Sequence, residues 1–145
     1  MRENIGLFRG KRIDTGDWVE GNLFIIKRYS TDIDHYFILP TDTIYGYDDL
    51  LLMAWEVDPA TVGECTGLTD KNGKLIFEGD ILRIAERGIV ADGGIVVFEN
   101  GYPGGWLIKS PTSENKCSLS MRTDIEIIGN IHDNPKLLKE GADNG

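Results

Sequence analysis

The sequence predicts a mainly β protein. A small, strongly bent antiparallel barrel occupies its C-terminal part, a further β-rich region precedes it, and a short helix follows. Three observations carry this. Short runs of β-branched and aromatic residues recur along the chain, bounded by Gly, Pro, Asp or Asn. An Asn72-Gly73 pair stands between two such runs, and both residues tolerate the positive φ of a tight hairpin. Between the later runs there is no stretch long enough for the crossover helix that parallel strands require.

The elements follow in order. Asp17–Arg28, DWVEGNLFIIKR, reads as a strand with a glycine inside it, and Asp34–Leu39, DHYFIL, as a second strand stopped by Pro40. Leu50–Trp55 is six apolar residues in succession, which suits a strand or one helical turn equally. Val57–Val62 reads as a crossing between halves. The expected division is therefore an acidic β-rich region over 1–62 and a barrel with its helix over 63–145.

Glu64–Leu68 opens the second half as a strand. Lys71–Lys74 supplies a two-residue type I′ hairpin turn, and Leu75–Phe77 leads out of it. Glu78-Gly79-Asp80 makes a second reversal before a strand at Ile81–Ile84. Gly94–Phe98 and Gly105–Ile108 flank the turn cluster Glu99–Gly104, ENGYPG. Asp124–Ile131, DIEIIGNI, closes the series. In HDNPKLLKE, Asn134 can cap a helix, Pro135 suits its first position, and Leu137-Leu138 can dock on the body. A frayed tail is expected over Gly141–Gly145.

Composition narrows the function classes. With 145 residues, 41% of them hydrophobic, the chain can build a real core. No run reaches the roughly 18 apolar residues of a bilayer span. The opening MRENIGLFRGKR lacks the apolar stretch of a signal peptide, so a cytoplasmic protein with reduced thiols at Cys65 and Cys117 is expected. The net charge of −9 lies unevenly: residues 14–64 carry eleven acids against Lys27 and Arg28, whereas residues 65–123 balance seven acids with seven bases. Such an acidic half repels phosphate backbones and could attract a basic protein patch.

The stretch TGLTDKNGKLIFEGDIL, Thr66–Leu82, is too specified for a plain loop. As a calcium loop it fails, because counting from Asp70 puts Lys74, Leu75 and Ile81 where an oxygen ligand, the glycine and the bidentate acid belong. Glu78 and Asp80 stand two apart, but Gly79 between them points to a turn, and a turn acid accepting backbone N–H groups explains Asp80 more simply than acid–base chemistry. His35 and His132 have no nucleophile in a recognisable local frame, and GYPGG at Gly101–Gly105 lacks the Lys-Ser/Thr end of a phosphate loop. Phe98, Tyr102 and Trp106, with Arg83, Arg87 and Lys109 near them, are the one set that could stack and hold nucleic acid. The reading of Gly67, Asp70, Asn72, Gly73, Glu78, Gly79 and Asp80 is thus structural: they shape backbone reversals. No catalytic residue, metal ligand or cofactor is expected.

The same stretch resembles the signature of the YopX family of phage and prophage proteins, TGL-x-DKNGK-x-I-[YF]-EGDI, here led by Cys65. Phe8-Arg9-Gly10-Lys11-Arg12 with Gly16–Gly21 resembles the family's opening, and Ile127–Pro135, IIGNIHDNP, its close. The resemblance implies an SH3-like barrel in the C-terminal part and an origin in a phage or prophage of a bacterial host cell. It implies no catalytic residues. The expectation is a non-enzymatic binding or assembly module working through an unknown protein partner, self-association included, with no membrane. The alternative is a small barrel that binds nucleic acid, against which the charge argues.

Overall fold

The computed structural model describes residues 6–28, 33–40, 53–86, 88–101, 104–122 and 124–138. Eleven strands are present among them, all antiparallel where paired, and the chain divides into two compact units, Met1–Cys65 and Thr66–Gly145. The boundary falls inside one strand rather than in a linker.

In the N-terminal unit, β1 (Leu7–Lys11), β2 (Trp18–Arg28), β3 (Ile33–Leu39) and β4 (Trp55–Val57) lie in the order β4-β3-β2-β1, with Gly63 and Glu64 of β5 (Gly63–Thr69) against β1. The far end of β1 turns back to β4: Arg12 bridges Val57, the Ile13 N–H donates to Glu56 O at 3.0 Å, and the Asp58 N–H donates to Lys11 O at 2.8 Å. Two glycines make this curl possible. A Cβ on Gly21 would stand 2.0 Å from the Leu39 carbonyl oxygen, and one on Gly10 would meet Val57 at 3.0 Å. Ile38, Val57 and Cys65 are buried. A 3-10 turn at Pro59–Thr61 follows β4, and its Thr61 hydroxyl accepts the Lys11 N–H at 2.9 Å. Leu50–Trp55 resolves in part: Trp55 starts β4, while residues 50–52 lie outside the described residues.

In the C-terminal unit, the end of β5 pairs with β6 (Leu75–Phe77). A five-stranded sheet has the order β10-β9-β8-β7-β11, from β7 (Asp80–Glu86), β8 (Ile89–Glu99), β9 (Gly105–Lys109), β10 (Lys116–Ser118) and β11 (Ile125–Asn130). It is an open sheet: β10 and β11 are its two ends and do not pair with each other, so the expected closed barrel is not formed. Its core is Ile76, Leu82, Val96, Ile108, Leu119 and Ile125, with Ile84, Trp106, Cys117 and Ile127 packed around them. Two register shifts bend it, at Leu82/Arg83 against β8 and at Ile127/Gly129 against β7. After β11 the chain turns, and residues 136–138 are helical. Asn134 starts this turn with its carbonyl, which accepts the Leu137 N–H, while its side chain reaches back to the Asn130 N–H at 3.1 Å. The expected side-chain cap is therefore spent on the preceding strand. The tail Gly141–Gly145 lies outside the described residues.

Candidate functional site

The signature stretch forms two turns separated by β6. In the first, Asp70 is the hub. Its N–H donates to Lys74 O at 2.8 Å, and its carbonyl accepts the Gly73 N–H at 3.0 Å. That pattern belongs to a three-residue loop, Lys71-Asn72-Gly73, whose last member is left-handed, with Gly73 at φ 82°. The expected two-residue type I′ turn is not the one used, because Asp70 supplies the closing carbonyl one residue earlier. The Asp70 carboxylate does the rest. Oδ1 accepts the N–H groups of Asn72 at 2.9 Å and Lys74 at 3.0 Å, and Oδ2 accepts that of Ile127 at 3.1 Å. The Lys71 N–H donates to Ile125 O at 2.9 Å. One loop thus shapes itself and grips β11.

Asp70 is 6% exposed. Burial alone would raise its pKa, but the N–H groups of Ile127, Lys74 and Asn72, with the charge of Lys74, outweigh this and hold the carboxyl below its ordinary range.

The second turn is Glu78-Gly79. Gly79 has φ 90°; its N–H donates to Val96 O at 2.9 Å and its carbonyl accepts the Ile131 N–H at 2.9 Å. Asp80, 2% exposed, accepts the Phe77 N–H at 2.8 Å through Oδ2. Glu78 is exposed. Gly67 also sits at positive φ, 80°, in β5, where Thr66 donates its hydroxyl to Ile76 O across the hairpin. The seven signature residues therefore fall into strand β5, two separate turns and the start of β7, and both buried carboxylates accept main-chain N–H groups.

A third knot lies between Asn130 and Asn134, where the sequence predicts only a helix cap. Asn130 Oδ1 accepts the N–H groups of His132 at 3.0 Å and Asp133 at 2.9 Å, and its own N–H goes to Asn134 Oδ1. A Cβ on Gly129 would stand 2.5 Å from Asn134 Oδ1. The spacing of two asparagines around a turn was the available signal.

Other polar groups lie apart from these turns. His35 Nδ1 is 2.8 Å from Glu56 Oε2 in the N-terminal unit. Phe98 and Trp106 pair edge to face at 5.1 Å, with Phe98 51% exposed; Tyr102 and Arg87 lie outside the described residues. Arg83 is bound to Asp92 at 2.8 Å and Lys116 to Glu99 at 2.6 Å. A cleft of about 300 Å³ in the C-terminal unit has Ile84, Gly94 and Ile108 among its apolar lining and Ser110, Cys117 and Arg122 among its polar lining. Cys65 is buried and Cys117 half-buried, both as free thiols. Among the described residues, no three His, Cys, Asp or Glu side chains are grouped to hold a metal ion, and no helix is long and apolar enough to cross a membrane.

The family profile described as YopX protein matches residues 7–139. The chain belongs to the YopX family. Within this YopX chain the matched region runs from β1 to the C-terminal helix, so it takes in both turns and the asparagine knot. The YopX chain is also similar in fold to the crystal structure of protein EF1440 from Enterococcus faecalis, with a TM-score of 0.50 and 22% identity over 90% of this chain and 96% of that one. Among curated proteins none matches.

Proposed function

We propose that this YopX protein is a phage- or prophage-encoded, non-enzymatic module of the bacterial cytoplasm that acts through protein contacts. One observation carries the reading. Both oxygens of the buried Asp70 and Oδ2 of the buried Asp80 accept main-chain N–H groups, which supports a backbone-building role for the most specified stretch of the chain. In the same reading the bent five-stranded sheet is an SH3-type scaffold, and the acidic residues of 14–64 suit a basic partner surface.

Affinity capture with the purified chain, followed by mass measurement of any complex by light scattering, tests this. A stoichiometric protein partner supports it. A monodisperse chain that captures nothing counts against it.

The second reading is nucleic-acid binding through Phe98 and Trp106, favoured by the exposure of Phe98. It is weakened by the pairing of Arg83 and Lys116 with acids. Filter binding at low salt decides it, and absence of retention of DNA or RNA ends it.

A further inference from the structure

The five-stranded sheet ends at β11, which pairs with β7 on one side only. Its outer edge carries the Ile125 carbonyl and the Ile127 N–H, two residues apart, the spacing at which an antiparallel neighbour takes its hydrogen bonds. Among the described residues no strand sits there. Those two groups are instead taken by the Lys71 N–H at 2.9 Å and by Asp70 Oδ2 at 3.1 Å. A turn with a carboxylate at its start imitates two rungs of a ladder. Lys71 adds ion pairs to Glu126 at 3.7 Å and Asp124 at 4.0 Å, both partly exposed.

We propose that residues 70–74 are a guard on the outer edge of β11, and that the edge they cover is a pairing surface for β11 of a second copy of the chain. The sequence of β11, IEIIGN, is rich in β-branched residues, and an uncovered edge of that kind is a template for another strand. The second copy fits because the pairing is reciprocal. Centred on Glu126, two antiparallel β11 strands set Ile125 of each opposite Ile127 of the other, so each supplies the donor and the acceptor that the other lacks. The two Glu126 carboxylates then face one another, each with Arg83 of its own chain 3.9 Å away. This inference stands apart from the partner reading above, since it concerns an edge that is covered in the folded chain.

Two variants open the guard in different ways. Asp70→Asn weakens the grip on the Ile127 N–H. Lys71→Pro removes the N–H given to Ile125 and leaves the Asp70 carboxylate in place. Each is compared with wild type by light scattering over a concentration series, with far-UV circular dichroism to follow the fold. The expected result is a wild-type spectrum with self-association tightened about tenfold or more, and loss of that gain when Ile127→Pro is added, because proline has no N–H to offer a second strand. A wild-type mass with a wild-type spectrum overturns the proposal. So does a gain that survives Ile127→Pro, which would place the contact elsewhere. If both variants unfold, the loop is needed to form the sheet and is not a guard, and the proposal fails equally.

Discussion

The Asp70 carboxylate accepts the main-chain N–H of Ile127 at 3.1 Å across 57 residues of sequence. This one contact ties the first turn of the family signature to the strand that leads into its closing motif. Removing it by Asp70→Ala leaves three N–H groups without their acceptor in a site that is 6% exposed. The expected loss is on the order of 3 kcal/mol of unfolding free energy, read by urea denaturation. A loss below about 1 kcal/mol would mean that water replaces the carboxylate at no great penalty.

The same carboxyl makes stability depend on acid. Its pKa is lowered in the folded state, burial being outweighed by the three N–H donors. The unfolded chain therefore takes up the proton first. The stabilisation is complete above roughly pH 4, the ordinary aspartate value, and is lost as pH falls through the folded-state value. Wild type should lose stability below that pH more steeply than Asp70→Ala, and parallel curves would contradict the assignment.

Glycine substitutions should separate backbone strain from collision. At Gly73 an added Cβ meets nothing within 4 Å, so only the φ of 82° resists a side chain. Gly73→Asn should lose less than about 1 kcal/mol and Gly73→Val about 2 kcal/mol, because a β-branched residue resists the left-handed region. Gly21→Ala should be worse than either, because its Cβ would lie 2.0 Å from a backbone oxygen that cannot rotate away. Denaturant midpoints give the order directly.

Asn134→Ala should loosen the chain after β11. It removes the acceptor of the Asn130 N–H, at a loss of about 1 kcal/mol. Faster amide exchange at Asn130, Leu137 and Leu138, with the rest of the sheet unchanged, is the expected pattern. Uniformly faster exchange would place Asn134 in the folding of the whole unit.

Local chemistry made most strands legible. The Asn72-Gly73 pair marked the hairpin, and the runs around Ile81, Val96, Leu107 and Ile127 all became strands. β1 and β10 escape a periodicity argument, since five and three residues carry too little of it. The turn type is beyond a nearest-neighbour rule, which weighs Asn-Gly and cannot see that Asp70 closes the loop. The grip of Asp70 on Ile127 was out of reach for the same reason: only the folded register brings those residues together. The identity of any partner is likewise not written in turn residues, because they record how the backbone bends and not what it meets.

The bridge between Arg12 and Val57 has a kinetic consequence. Among the described residues, β1 is tied to β2, β2 to β3 and β3 to β4, and the residues just after β1 return to β4, so β4, last in the sheet order, is held on both sides over Glu56–Asp58. Proteases and pulling forces ordinarily start at the last strand of a sheet. Here, stripping β4 from the sheet means breaking the short seam at residues 11–13 and 56–58 as well as its ladder to β3.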